Sequence, residues 1–335
     1  MGKIAFWNRY TEFARNRMFD ESSYGIGEDL GKPIIELKDR IESMGYCVET
    51  LDMGNPEEYD KVLFLDYPDE GSRCCPLESI PYEKRYLILT ECEMIYERNA
   101  DKNLLEQFNK VFTYDDDLVR ECGYIKLPIP NVIKQPIISD IKNKKFITLI
   151  AGNKTSDKEG ELYSKRLSFI RYMEKNHPQE FDFYGTGWFW TTFSGIFHIL
   201  NHFGFLRRMF AEKHPCYRGR VDKKLTVQSQ YKFVLAYENT SAIPGYITEK
   251  LWDVFFSGAV PIYIGAPNIT DYVPENCFID GRQFESDDEL YRFLKGIDDE
   301  RYNRYLSDIK AMLDSKAAEF FSSKHFCDTV IREML

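Results

Sequence analysis

Short apolar runs alternate along the chain with stretches whose apolar residues recur every three or four positions. Runs over 3–7, 47–52, 61–66, 86–90 and 111–114 read as strands. A 3.6-residue pattern over 33–44, opened by Pro33 and stopped by Gly45, predicts a helix, and 104–109 predicts another. Alternation of this kind implies an α/β fold with a parallel sheet covered on both faces. From 127 to 145 the periodicity fails among three prolines and the cations Lys142, Lys144 and Lys145. We place a domain boundary there, giving a first domain over 1–140, a second over 141–300 and terminal helices over 301–335.

The second domain restarts the pattern, with strands over 145–151 and 181–184 and a helix over 163–176. Its most informative stretch lies at 231–268. A strand over 232–237 ends in Glu238 and Asn239, and Thr248 caps a helix that runs through Ser257 with Leu251, Val254 and Phe255 as its apolar stripe. Gly258 ends that helix and 259–264 is the next strand. Ser286 and Glu289 form a capping box for a further helix. Ligands of open α/β sheets bind beyond the carboxyl ends of strands, where helix N-termini offer free N–H groups. Glu238, Asn239, Tyr246, Glu249 and Lys250 are therefore expected to converge on one crevice suited to a phosphorylated ligand.

Composition narrows the ligand. With 44 basic against 54 acidic residues the net charge is −10, which argues against a general nucleic-acid binder. The eight cysteines include no CxxC pair, and Cys74 beside Cys75 is not a zinc spacing, so reduced thiols in a cytoplasmic protein are expected. MGKIAFWNRY passes straight from an apolar run to Asn8 and Arg9, unlike a signal peptide. His198 and His202 stand four apart without an HExxH context, and the run Asp115-Asp116-Asp117 reads as a solvated turn. Residues 183–206 carry no formal charge and many aromatics. A membrane span there would split the second domain, but with Arg207, Arg208 and Lys213 the stretch 183–213 suits peripheral docking on an anionic membrane.

The segment YKFVLAYENTSAIPGYITEKLWDVFFSGAVPIYIGAPN resembles the donor-binding signature of glycosyltransferase family 10, the α-1,3/1,4-fucosyltransferases. Similarity continues through Tyr272-Val-Pro-Glu-Asn-Cys-Phe-Ile-Asp280. The resemblance implies the GT-B arrangement: two Rossmann-like domains face across a cleft, with the acceptor on the N-terminal domain, the nucleotide sugar on the C-terminal one, and final helices crossing back. It implies an inverting transfer of L-fucose from GDP-β-L-fucose to a glycan hydroxyl. By the same resemblance the linkage is α-1,3 to N-acetylglucosamine in an N-acetyllactosamine-like unit. The setting implied is bacterial surface polysaccharide or lipopolysaccharide synthesis, with a glycan or lipid-linked acceptor met at the inner membrane surface.

Residue roles follow from the same resemblance. Lys250 and Arg166, in SKRLSFIRYMEKN, would meet the donor phosphates. Glu249 would bind ribose, Tyr246 and Asn239 would hold base, ribose or sugar, and Glu238 would orient its neighbours or touch the donor sugar. Glu93, in LTECEMIYERN, falls at the catalytic glutamate, although Met94-Ile95 replaces a proline-containing turn there, and Glu91 stays open as the alternative. With these cations present no essential metal or cofactor is expected. The competing readings are the same fold with another GDP-sugar or acceptor, and a nucleotide-sugar binding protein without catalysis. A dehydrogenase is disfavoured because no GxGxxG follows the first strand.

Overall fold

Two parallel sheets organise the computed structural model, which describes residues 2–25, 29–68, 77–190, 199 and 202–335. In the first sheet β1 (Lys3–Asn8), β2 (Cys47–Thr50), β3 (Lys61–Leu65), β4 (Arg85–Ile88), β5 (Lys110–Thr113) and β6 (Ile125–Lys126) lie in the order β2-β1-β3-β4-β5-β6. The second sheet has β7 (Lys145–Ile150), β8 (Phe181–Tyr184), β9 (Tyr231–Tyr237), β10 (Val260–Ile264) and β11 (Ile279–Asp280) in the order β11-β10-β9-β7-β8. The order reverses between β1 and β3 in one sheet and between β7 and β9 in the other. Such reversals open crevices at the carboxyl ends of the strands.

The helices obey their local signals. Lys32–Ser43 buries Pro33, Ile34, Leu37 and Ile41, and Gly45 follows in the left-handed region at φ 92°. Glu249–Ser257 is capped by Thr248, whose hydroxyl accepts from the Lys250 N–H, and Gly258 closes it at φ 67°. Tyr163–Asn176 turns Tyr163, Arg166, Phe169, Ile170 and Met173 inward, so an arginine sits in an otherwise apolar stripe.

The C-terminal helices tie the two halves together. Asp299–Leu313 still packs in the second core through Tyr302, Ile309 and Met312. Ser323–Met334, by contrast, lies on the first sheet, where Phe326, Cys327, Val330 and Met334 join Ile4, Phe6 and Leu37. Arg40 pairs with Asp328, and Lys110 reaches Glu333 at 2.9 Å. Ala318 and Phe321 also belong to the second core, so the crossing falls between 321 and 323.

The aspartate run differs from its expectation as a solvated turn. Asp115 caps the helix Asp116–Cys122, accepting from the N–H groups of Asp117 and Leu118. Asp116 accepts from Lys126 at 2.5 Å, from the Tyr272 hydroxyl at 2.6 Å and from Asn268 at 2.9 Å, which makes it a polar latch between the halves. Its neighbours in the other half hold it in place, a long-range effect that a local charge run does not reveal.

The six described cysteines are free, while Cys74 and Cys75 lie outside the described residues. Residues 191–198, 200 and 201 of the 183–213 stretch, His198 included, also lie outside them. Of the described part, Trp188 is buried and donates to the Ala151 carbonyl at 2.8 Å. Phe189, Phe203, Phe205, Met209 and Phe210 are exposed. Among the described residues no helix is long and apolar enough to cross a membrane.

Candidate active site

The carboxyl ends of both sheets face one cavity of about 640 Å³, lined from one side by Asn8, Thr90 and Glu91 and from the other by Gly152, Asn239 and Lys250. Its size falls in the range of about 300–1,000 Å³ common for ligand sites. Gly185, after β8, faces it at φ 140°, and a Cβ there would lie 1.8 Å from the Ala151 carbonyl oxygen. Glycine is required where these two strand ends meet.

The donor-side residues singled out in the sequence divide between lining the cavity and supporting it. Arg166, Asn239, Tyr246, Glu249 and Lys250 all line it. Glu238 does not. It is fully buried, and its carboxylate accepts from the Thr248 N–H at 2.8 Å, the Thr248 hydroxyl at 2.7 Å and the Lys250 ammonium at 3.3 Å. Its geometry is that of an orienting group, and Gly265 makes room for it. A Cβ on Gly265 would stand 2.5 Å from Glu238 Cγ.

Arg166 reaches from the helix stripe to the end of β9. One terminal nitrogen donates to the carbonyls of Tyr237 and Glu238, at 2.6 and 2.5 Å, and lies 3.3 Å from the Asn239 side-chain oxygen. Its Nε is buried without a partner among the described residues, a donor left over for a ligand. Tyr246 packs on Tyr114 of the other half at 5.1 Å, and its hydroxyl accepts from the Asn239 amide at 3.2 Å.

Charge in the crevice is strongly tuned. Burial works against ionisation of Glu249, but Lys250, Lys224 and the helix N-terminus hold its carboxyl down at about 2. Burial likewise works against Lys250, yet Glu249 and Glu238 keep its ammonium above the ordinary lysine value. Three further cations that sequence reading passed over, Lys154, Arg220 and Lys224, line the same cavity. Lys154 follows β7 and Gly152 in AGNK, and that position just past a strand end was the available signal. Lys224 also lies 3.6 Å from Asp253.

On the other wall, the alternatives left open at 91 and 93 separate. Glu91 lines the cavity, and Glu93 is not among the lining residues. The carbonyl of Glu93 instead accepts from Lys158 of the second half at 2.6 Å. Glu91 is held by a buried network centred on Asp66. That carboxylate accepts from the Thr90 N–H and hydroxyl at 2.7 and 2.6 Å, the Glu91 N–H at 3.0 Å and the Asn99 amide at 2.7 Å. Asn99 also donates to the Glu91 carbonyl at 2.8 Å. Burial, then the like charge of Asp66, push the Glu91 carboxyl above its ordinary value, while Lys154 and Lys250 across the cleft oppose the shift.

The profile of glycosyltransferase family 10 (fucosyltransferase), C-terminal part, matches residues 144–332, more than half of the chain. This chain belongs to glycosyltransferase family 10. Among curated relatives, an α-(1,4)-fucosyltransferase of Arabidopsis thaliana is 49% identical over 79 residues, covering 23% of this chain and 20% of that protein. An α-(1,3)-fucosyltransferase B of Drosophila melanogaster is 41% identical over 80 residues, 23% of this chain and 18% of the relative. A human GDP-fucose protein O-fucosyltransferase 3 is 41% identical over 81 residues, 23% and 17% respectively. The aligned stretch thus spans about a fifth of each relative.

Solved structures show the fold. A crystal structure of an α1,3-fucosyltransferase superposes with a TM-score of 0.53 at 15% identity, covering 97% of this chain and 88% of that one. An α-glucosyltransferase in complex with UDP-glucose and DNA gives 0.58 at 11% identity, covering 100% and 99%. The family member described here has the GT-B fold, two parallel-sheet halves with a cleft between them.

Proposed function

We propose that this chain transfers L-fucose from GDP-β-L-fucose to a glycan hydroxyl, with inversion at the anomeric carbon. The observation that carries the reading is the single cavity that places Glu91 opposite Lys250, Lys154, Arg220 and Lys224. In the proposed step the acceptor oxygen bonds to C1 of fucose as the C1–O bond to GDP breaks. Glu91 takes the acceptor proton, and its raised pKa makes the carboxylate a stronger base than an ordinary glutamate. The charge released on the leaving diphosphate meets the lysines and Arg166, which act where negative charge develops. Glu249 and Asn239 are proposed to bind ribose or sugar hydroxyls, and Tyr246 to pack on the nucleotide. Since cations already crowd this wall, we propose that turnover needs no metal or other cofactor, so it should survive a chelator.

The linkage we propose is α-1,3 to N-acetylglucosamine in an N-acetyllactosamine-like unit, within bacterial surface glycan synthesis in the cytoplasm. Peripheral membrane contact by 183–213 is part of the same proposal, supported by exposed Phe205 and Met209 beside Arg207 and Arg208. Incubation with a panel of GDP-sugars and neutral glycans, read by mass, tests the reaction. A product heavier by one deoxyhexose from GDP-fucose alone is expected, and transfer from a different GDP-sugar instead would overturn the donor assignment.

A further inference from the structure

The cavity does not end at Glu91. Beyond it the lining continues into the first half of the chain, past Tyr10, Phe13, Tyr24, Leu30, Pro33 and Ile34. Among the described lining residues of that half, Glu91 alone carries a charge. The opposite wall holds every cation of the cavity. Among the described lining residues, one pocket therefore has a strongly charged end and an aromatic end of uncharged side chains, with the carboxylate between them and the Arg9 guanidinium 5.4 Å from the centre of the Tyr10 ring.

The aromatic end is built as a ladder that starts at the carboxylate. The Tyr10 hydroxyl faces Glu91 Oε1 at 3.4 Å. The Tyr10 and Phe13 rings meet edge to face at 6.4 Å, and Phe13 and Tyr24 stand 4.7 Å apart, tilted by 35°. Backbone geometry fixes the first rung, because the Tyr10 N–H donates to the Asn8 side chain at 2.8 Å at the end of β1. The last rung is fixed by its own hydroxyl, which donates inward to the Met18 carbonyl at 2.8 Å. Tyr24 thus has its hydroxyl already spent and only its ring left to offer a ligand. Gly31 makes room for that ring, since a Cβ there would lie 2.2 Å from it. Core packing alone would bury these groups, yet Tyr10 and Leu30 remain 36% and 46% exposed.

A surface of this kind selects a ligand with an apolar face and no charge. A pyranose ring has one: its axial C–H bonds form a flat patch that gains dispersion contact over aromatic carbon, while its hydroxyls lie at the rim. Stacked along the ladder, such a ring would turn a rim hydroxyl toward Glu91. A charged ligand, or an extended polypeptide needing main-chain hydrogen bonds, finds little to bind there.

Resting on the fucosyl-transfer reading above, we propose that Tyr10, Phe13 and Tyr24 form the acceptor subsite, which takes an uncharged sugar ring by its apolar face and presents one hydroxyl to Glu91. The test uses Phe13→Leu and Tyr24→Leu, which keep apolar bulk and remove the aromatic face. Each should raise the KM for N-acetyllactosamine or another neutral acceptor about three- to tenfold, with kcat nearly kept and GDP affinity by calorimetry unchanged. Calorimetric titration of neutral oligosaccharides onto the GDP-loaded protein reads the subsite without transfer. Binding that weakens in both variants supports the subsite even where no fucose moves, an outcome that would sink the transfer reading alone. Loss of GDP affinity with an unmoved acceptor KM would assign the ladder to the nucleotide base and overturn the proposal. Transfer to serine or threonine of a peptide, equally sensitive to both substitutions, would overturn the sugar class. Equal oligosaccharide affinity in wild type and variants would remove the subsite.

Discussion

The carboxylate of Asp66 accepts the backbone N–H of Glu91 at 3.0 Å, and with its bonds to Thr90 and Asn99 it fixes where the loop after β4 points. Asp66 itself sits in the left-handed region at φ 66°, an uncommon conformation for a non-glycine residue. Asp66→Asn keeps the shape but removes both the charge and the Oδ2 acceptor that takes the Thr90 hydroxyl. We expect kcat/KM to fall on the order of tenfold to a hundredfold, as small misplacements of a reacting group do. The pH profile separates positioning from mere stability. Glu91 must be ionised to accept a proton, so the rate climbs as pH rises through its raised pKa. Without the like charge that pKa drops and the acidic limb moves to lower pH; an unmoved limb would reduce Asp66 to a structural role.

Glu91→Gln and Glu93→Gln should behave differently. The first removes the proposed base, so transfer should fall by roughly two orders of magnitude or more while GDP still binds. The second leaves intact the carbonyl that Lys158 holds, and transfer should stay near wild type. Single-turnover rates with calorimetric GDP affinities check both, and the reverse order of effects would return the base to Glu93.

Lys250→Ala should weaken GDP binding about ten- to a hundredfold, the loss expected when one member of a desolvated charge pair is removed. It also strips Glu238 of its ammonium partner and should lower Tm. A pH effect follows from Glu249. Its carboxyl is depressed from 4.5 to about 2, so its stabilising contribution is present above the unfolded value and is lost as pH falls toward 2. Without Lys250 the depression is smaller, so that contribution shrinks and its loss is complete at higher pH, which acid unfolding followed by circular dichroism will read.

Gly265→Ala probes the support behind the cationic wall of the cavity. The new methyl would meet the Tyr263 hydroxyl at 2.3 Å and Glu238 Cγ at 2.5 Å. Overpacking of this kind costs about 1–3 kcal/mol. We expect a lower Tm together with weaker GDP binding, since Glu238 anchors Thr248 and Lys250. A drop in Tm with unchanged GDP affinity would mean that the anchor tolerates displacement.

Local pattern sufficed for elements whose boundaries are set by their own residues. The helices Tyr163–Asn176 and Glu249–Ser257 and the strand Phe181–Tyr184 fall where periodicity, the Thr248 cap and Gly258 put them. The cavity-lining residues of the second half were legible for the same reason, because Asn239, Tyr246, Glu249 and Lys250 lie within one strand–loop–helix unit. Which of Glu91 and Glu93 lines the cavity could not be read that way. Both stand in an irregular loop without a period, and Asp66 and Asn99, distant in sequence, hold Glu91 on the cavity wall. Tertiary packing also decided that Glu238 points inward, that Lys154, Arg220 and Lys224 share a wall, and that Asp116 latches Tyr272. Each of these depends on hydrogen bonds, ion pairs or shared cavities between segments far apart in sequence. A one-dimensional pattern encodes which face of an element is buried, and only the folded chain fixes what stands opposite it.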